Sequence, residues 1–144
     1  MLTHLNIYWL KLAAIDIGSN AARLLITDVT ETHADKPVFT KMNLFRIPLR
    51  LGFDVFETGS ISPERTGMFL ETMKAYKHLM KAYQVNHVKA CATSAMRDAA
   101  NAADIIRMVK EQTGIEIEVI SGDMEANLVY ENHVAENMDR EHSY

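Results

Sequence analysis

Apolar residues recur along the chain in two periods, one typical of strands and one typical of helices. Residues 7–17 form a nearly continuous apolar run, which predicts a first strand near the centre of a sheet. Further strands are predicted at 23–29, 38–51, 85–92 and 115–119. The stretch at 38–51 is one strand or two, because Pro48 interrupts it. Residues 30–36 are predicted as a turn and residues 52–60 as a loop.

The longest predicted helix follows that loop. Ser62 has the properties of an N-cap and Pro63 those of a first helical residue. One face of the helix is apolar and is predicted to pack in the core: Phe69, Met73, Tyr76, Met80 and Tyr83. The other face is basic and is predicted to be solvated: Lys74, Lys77, His78 and Lys81.

Two shorter helices are predicted in the second half of the chain. Asn101 is a candidate cap for a helix that ends before Gly114, a residue suited to the C′ position. Ser121 and Gly122 open a last helix, which extends to about residue 136. Residues 93–100 are predicted as a connection of small and polar residues.

The predicted order is three strands followed by alternating helices and strands. A leading meander and later β-α-β units predict the α/β class, with helices packed on a mixed sheet. A chain of 144 residues has the size of one domain, and 48% hydrophobic residues are enough for a core.

Charge and cysteine content exclude some classes of protein. The net charge of -4 disfavours a non-specific nucleic-acid binder, so any anion site must rest on a few local cations and backbone dipoles. Cys91 is the single cysteine, which excludes an internal disulfide and fits a reducing cytoplasm; we expect it to be a small buried hydrophobe. Neither a signal peptide nor a membrane span is predicted, so we expect a cytoplasmic protein without membrane contact.

The most informative polar segment is the turn between the first two strands. Asp16 precedes Gly18, Ser19 and Asn20, and Arg23 follows three residues later. Such a turn can direct backbone N–H groups at an anion, and a hydrated metal can sit beside Asp16. The alternative is an ordinary hairpin turn, which spacing alone favours.

Two more polar segments follow predicted strands. Thr93 and Ser94 offer hydroxyl and N–H groups, and Arg97 can pair with phosphate oxygens. A salt bridge of Arg97 with a neighbour such as Asp98 or Asp123 is an equal alternative. Glu125 lies in the first turn of the last helix, where the helix dipole favours a glutamate whatever its function; the functional interpretation is a general base.

Taken together, these segments resemble the exopolyphosphatase and guanosine-pentaphosphate phosphohydrolase family. The matching stretches are AIDIGSNAARLLI, Arg50-Leu51-Gly52, ATSAMRDAAN and TGIEIEVISGDMEANLVY. The family belongs to the superfamily of actin, sugar kinases and heat-shock ATPases. The resemblance implies a ribonuclease-H-like, actin-like ATPase lobe with a mixed five-stranded sheet.

The resemblance also implies a role for each segment. Residues 16–20 correspond to a phosphate loop, Arg23 and Arg97 to cations that neutralise phosphates, and Glu125 to the glutamate that activates water. The expected substrate is polyphosphate or guanosine pentaphosphate, with Mg²⁺ as cofactor. The pattern itself does not choose between these two substrates.

The chain departs from the family pattern in three places. Ala21 and Asn127 stand where the family often has Ser and Arg, and a second phosphate loop, Asp-x-Gly-Gly-Gly-Ser, is missing before Tyr144. Residues 1–144 are therefore interpreted as an N-terminal lobe that needs the remainder of a longer protein, itself expected to form a homodimer. Two alternatives stay open: a non-catalytic phosphate- or alarmone-binding module and a kinase-like ATP-binding lobe.

Overall fold

The structure is a computed structural model that describes residues 8–31 and 36–122. Five strands form one sheet in the order β3-β2-β1-β4-β5. Their bounds are β1 Tyr8–Ile17, β2 Ala22–Glu31, β3 Val38–Ile47, β4 His87–Ala92 and β5 Ile117–Val119. The first three are an antiparallel meander, whereas β4 is parallel to β1 and β5 is parallel to β4. The predicted mixed five-stranded sheet is confirmed.

Four helices connect the later strands. Their bounds are α1 Leu51–Thr58, α2 Pro63–Ala82, α3 Ser94–Asp98 and α4 Ala102–Thr113. Alternate strand residues and the inner faces of the helices share one core, whose largest fully buried members are Tyr76, Phe69, Ile15, Ile17, Leu24, Ile26, Leu49, Leu51, Met73, Met96, Ile105 and Val109. Among the described residues, no helix has the length and hydropathy needed to cross a bilayer.

The loop predicted for residues 52–60 is wrong, because α1 occupies most of it. Leu51 is fully buried, and the carboxylate of Asp54 accepts a 2.8 Å hydrogen bond from the backbone N–H of Ser62 and pairs with Arg65. Hydrogen bonds from Ser62, with the nearby Arg65 charge, hold the pKa of Asp54 below its usual range. These tertiary contacts, rather than an apolar stripe, stabilise the short helix.

Two other local predictions need correction. Residues 94–98 form a helical turn inside the segment predicted as a connection, because Ala95 and Met96 are buried in the core. Asn101 does not cap α4 with its side chain. Its amide instead binds the backbone of Ile61, donating 2.9 Å to the carbonyl and accepting 3.0 Å from the N–H. Asn101 therefore ties α4 to the start of α2.

The predictions for α2 and for the end of α4 are confirmed. The hydroxyl of Ser62 accepts a hydrogen bond from the N–H of Arg65, and Pro63 is the first helical residue. Four of the five predicted core residues are buried within α2, while Tyr83 follows it as the half-buried C-cap. Gly114 ends α4 in the left-handed conformation, at φ 76°.

The remaining predictions fall partly or wholly outside the described residues. Strand β3 is a single strand that ends at Ile47, just before Pro48. Gly122 is helical and is the last described residue. The rest of the predicted last helix, including Glu125 and Asn127, lies beyond the described ranges, as does most of the turn at 30–36.

Candidate phosphate-binding site

A four-residue loop, residues 18–21, joins β1 to β2 as the predicted hairpin. The N–H of Gly18 donates a 2.9 Å hydrogen bond to the carbonyl of Ala21. Gly18 does not adopt the left-handed backbone conformation that glycine, which lacks a Cβ atom, can reach. Within the described part of the chain, the backbone N–H groups of Ser19 and Asn20 have no acceptor. Two unsatisfied donors at a loop tip are suited to an anion.

The segment that leads into α1 holds the loop in place through two backbone hydrogen bonds. The N–H of Arg50 donates to the carbonyl of Asn20 and the N–H of Gly52 to that of Ser19, each at 2.9 Å. Arg50 adopts a left-handed conformation, with φ 55°. A Cβ atom on Gly52 would lie 2.8 Å from the Cβ of Ser19, so this position needs glycine. The Arg50-Leu51-Gly52 turn therefore fixes the shape of the loop.

The hairpin loop after β1 and the segment after β4 meet at a pair of serines. The hydroxyl oxygens of Ser19 and Ser94 are 2.5 Å apart. The N–H of Thr93 donates 3.0 Å to the carbonyl of Ile17, and Thr93 is 5% exposed. Thr93 thus anchors the connection between β4 and α3 to the end of β1, while Ser94 reaches the loop.

Arg97 links the segment after β4 to the segment that follows β5. Its Nη1 donates a 3.0 Å hydrogen bond to the carbonyl of Ile120, whose own N–H donates 2.9 Å to the carbonyl of Ala92. Among the described residues Arg97 has no ion pair with Asp98, one of the two partners that the salt-bridge alternative offered. The guanidinium group is therefore held at the start of the third segment, with further N–H groups available to a ligand.

A row of polar side chains crosses the sheet next to the loop, on the face away from the core. Strand register places the members of this row opposite one another: Arg46, Arg23, Asp16, Cys91 and Glu118. The two arginines are on adjacent strands, where like charges repel unless an anion lies between them. The positive end of the row lies at β2 and β3, and the negative end at β5.

A cleft of about 300 Å³ lies between this row and the loop. Its walls are Asp16, Gly18, Ser19, Asn20, Ala21, Arg23, Arg46, Thr93 and Ser94. The structure thus collects every predicted phosphate-binding residue except Arg97 along one cleft. Arg46 belongs to it but was not predicted, since only the register of β3 on β2 reveals it. Glu125 lies outside the described residues, so its position relative to the cleft stays a prediction.

The metal-binding groups near the cleft suit a cation that is coordinated mainly by the phosphates of a bound substrate and by water. Asp16 contributes an exposed carboxylate, and the described residues contain no group of three metal-ligating side chains. Mg²⁺ binds through one or two carboxylates plus substrate phosphates and water, so a single aspartate fits this cation.

Cys91 stands next to Asp16 in the row and is half-buried. Burial raises the pKa of its thiol, and the carboxylates of Glu118 and Asp16 raise it further against the opposing effect of Lys89. The thiol is therefore protonated near neutral pH, which disfavours nucleophilic chemistry. The expected burial is met only in part, because Cys91 is half-buried and lies on the face of the sheet away from the core.

Comparison with known proteins relates most of the chain, not only the residues of the cleft, to one protein family. The profile of the Ppx/GppA phosphatase family matches residues 25–143, most of the chain. The chain belongs to the Ppx/GppA phosphatase family. Exopolyphosphatase 1 of Mycobacterium tuberculosis is 27% identical over 121 residues, which are 84% of this chain and 34% of that protein. The chain thus spans about a third of the length of this curated relative.

Solved structures of the Ppx/GppA family share the same fold. The Aquifex aeolicus family member superposes with a TM-score of 0.74 at 33% identity, over 82% of this chain and 37% of that one. An exopolyphosphatase from Cytophaga hutchinsonii gives a TM-score of 0.73 at 32% identity, over 82% and 36% of the two chains. The fold is the actin-like ATPase fold of the Ppx/GppA proteins.

Proposed function

We propose that this chain is the phosphate-binding lobe of an enzyme that hydrolyses terminal phosphoanhydride bonds of inorganic polyphosphate. The observation that carries the proposal is the Ser19–Ser94 contact, which joins two of the three polar segments. It sets two unsatisfied backbone N–H groups beside a cleft that contains Arg23 and Arg46. Membership of the Ppx/GppA family supports the same chemistry.

In this proposal the chain's residues divide the work of hydrolysis. Loop N–H groups and the two serine hydroxyls bind the terminal phosphate, and Arg23, Arg46 and Arg97 offset the charge of its oxygens and its neighbours. Glu125 accepts a proton from the attacking water while the shortened polyphosphate leaves with the electrons of the broken P–O bond. Mg²⁺ at Asp16, when bound, adds further charge neutralisation.

We infer that the chain needs a second lobe to complete this site. It spans about a third of the length of Exopolyphosphatase 1, and the open cleft presents phosphate contacts from one side only. Phosphoryl transfer depends on positioning from several sides and on exclusion of water. The 144-residue chain alone therefore binds phosphate compounds weakly and turns none over.

A phosphate-release assay on a hybrid enzyme tests this proposal. The hybrid joins this chain to the part of the Aquifex aeolicus protein that it does not cover, with the parent enzyme as positive control. We expect phosphate release from polyphosphate with Mg²⁺, lowered about 10²–10⁴-fold by Glu125→Gln at nearly unchanged substrate affinity. Glu111→Gln, on the exposed face of α4, is the matched control. A folded hybrid that binds polyphosphate without releasing phosphate would favour the non-catalytic binding module.

One observation favours guanosine pentaphosphate as a second substrate. A further cleft of about 450 Å³ shares Ser19 and Ser94 with the first and is lined on its other side by α1 and α3. Phe56 lines it and is 89% exposed, so its ring is available to stack on a base. If the hybrid prefers guanosine pentaphosphate, Phe56→Ala should lower kcat/KM for that substrate and leave polyphosphate hydrolysis unchanged.

A further inference from the structure

Another cleft lies at the opposite end of the sheet, and it contains two lysines that have no ion pair among the described residues. It has a volume of about 210 Å³ and is lined by Lys77, Met80, Lys81, Val85, Asn86, His87, Val88, Thr113, Gly114 and Ile115. Strand β4 begins in this cleft at His87 and ends at Ala92, next to the candidate phosphate site. At roughly 3.3 Å per residue the two sites are about 16 Å apart, so one small ligand cannot occupy both.

The basic residues of this cleft differ from the other cations on the long helices. Six lysine and arginine residues lie on α2 and α4, and four of them have acidic partners: Arg65, Lys74, Arg107 and Lys110. The other two, Lys77 and Lys81, have no ion pair within the described residues, and both line the cleft. The lining contains no acidic residue.

Helix electrostatics accounts for only one of these cations. Lys81 lies in the last turn of α2, where the helix dipole favours a positive charge. Lys77 is four residues earlier on the same face, and like charges at this spacing destabilise a helix. His87 begins β4 at the edge of this cleft, but strand register places its side chain on the same face as Cys91, away from α2, so it adds no third basic group to the two lysines. Two neighbouring lysines without an acidic partner among the described residues are suited to an external anion.

The cleft is preformed by a fixed backbone turn. Gln84 takes a left-handed conformation at φ 58°, and the N–H of Val85 donates 2.9 Å to the carbonyl of Met80, closing a Schellman motif. Asn86 is fixed to the sheet, because its Oδ1 accepts a 2.8 Å hydrogen bond from the N–H of Lys11. Its amide nitrogen is then available to donate to a ligand.

The bottom of the cleft is apolar. Met80 and Ile115 are buried, and Val85 and Val88 complete a surface without charges. A ligand that satisfies both parts of the cleft needs an anionic group for the basic side chains and a carbon skeleton for this surface. The volume is below the roughly 300–1,000 Å³ of sites for drug-sized ligands, so the ligand is small.

We propose that this cleft is a binding site for a small phosphate monoester. The phosphate group lies between Lys77 and Lys81, and the organic part rests on the apolar surface. The site is separate from the candidate catalytic cleft and does not depend on the function proposed for it.

Methyl-resolved NMR titration of the 144-residue chain tests the proposal, with phenyl phosphate as the probe. We expect saturable shift changes at the methyl groups of Met80, Val88 and Ile115. Inorganic phosphate should bind several-fold more weakly, because it makes no apolar contact, and phenol should give no saturable change. Equal binding of phenyl phosphate and inorganic phosphate, or saturation by phenol alone, would overturn the proposal.

Charge variants separate a built site from general attraction of anions. Lys77→Gln and Lys81→Gln should each weaken phenyl phosphate binding at least five-fold, whereas Lys74→Gln, on the same helix and paired with Glu71, should change it less than two-fold. If Lys74→Gln weakens binding as much as Lys77→Gln, the attraction is non-specific and the site does not exist. Shift changes confined to the methyl groups of Ala21 and Thr93, which line the candidate phosphate-binding cleft, would contradict the proposal equally.

Discussion

The hydroxyl oxygens of Ser19 and Ser94 lie 2.5 Å apart although the residues are 75 positions apart in the chain. This contact joins the hairpin loop after β1 to the start of α3. It is part-buried, in the wall that separates two clefts. The candidate phosphate site therefore depends on long-range packing of two segments that are individually unremarkable turns.

A double-mutant cycle measures the strength of this contact. Ser19→Ala and Ser94→Ala should each lower the free energy of unfolding by about 0.5–1.5 kcal/mol, the usual net value of a hydrogen bond. The double variant should lose clearly less than the sum, because both changes remove the same interaction. Urea unfolding gives the values. Ser60→Ala is the control, since its hydroxyl has no hydrogen bond among the described residues; strictly additive losses would show that the serines do not interact.

Gly52 should be among the least tolerant positions near the site. An added Cβ would meet the Cβ of Ser19 at 2.8 Å, so Gly52→Ala should shift the loop and cost about 1–3 kcal/mol, as overpacking does. Gly67 lies inside α2 with nothing within 4 Å of the added atom, so Gly67→Ala should stabilise the protein by about 0.5–1 kcal/mol. Thermal unfolding compares them, and a Gly52→Ala protein as stable as wild type would refute the close contact.

The hydroxyl of Tyr76 fixes the first residue of β2. It donates a 2.7 Å hydrogen bond to the carbonyl of Ala22 inside the core, and burial raises the pKa of this phenol to about 12. Tyr76→Phe removes this buried hydrogen bond and should cost about 0.5–1.5 kcal/mol in urea unfolding. Tyr83 is half-buried and accepts a 3.1 Å hydrogen bond from Asn43. Tyr83→Phe should therefore cost less, and an equal or reversed order of the two losses would contradict this account.

Acid should destabilise the protein through Asp54. The pKa of this carboxyl is lowered in the folded state, mainly by hydrogen bonds from Ser62. Its contribution to stability is therefore fully present above the unfolded pKa of about 3.9 and is lost as the pH falls through the lower folded value. Asp54→Asn should flatten the pH dependence of unfolding below about pH 4. A variant with the same acid slope as wild type would show that another group is responsible.

The sequence predicts those parts of the fold that arise from local periodicity. The strands, the Ser62 cap and the end of α4 at Gly114 each follow from residue type and spacing within one element. Helix α1 was missed because it is stabilised by tertiary contacts of Leu51 and Asp54 while its aromatic residues are exposed. Hydrophobic periodicity within one element does not predict such contacts.

The sequence likewise predicts one part of the candidate site and misses another. The polar segments after strands were visible in the sequence, as was their order. Arg46 was not, because it reaches the cleft only through the pairing of β3 with β2, and strand register is set by the whole sheet. The close approach of Gly52 to Ser19 was hidden for the same reason.

The most direct test of the central claim is to ask where a phosphate chain contacts this lobe. Backbone NMR of the 144-residue chain, titrated with tripolyphosphate and Mg²⁺, reports each amide separately. We predict weak, saturable shifts at Ser19, Asn20 and Ser94, lost in Arg23→Ala and unchanged in Arg107→Ala, whose side chain is paired on the far surface of α4. Saturable binding that leaves these amides unmoved, or that survives Arg23→Ala, would contradict the assignment of the phosphate site.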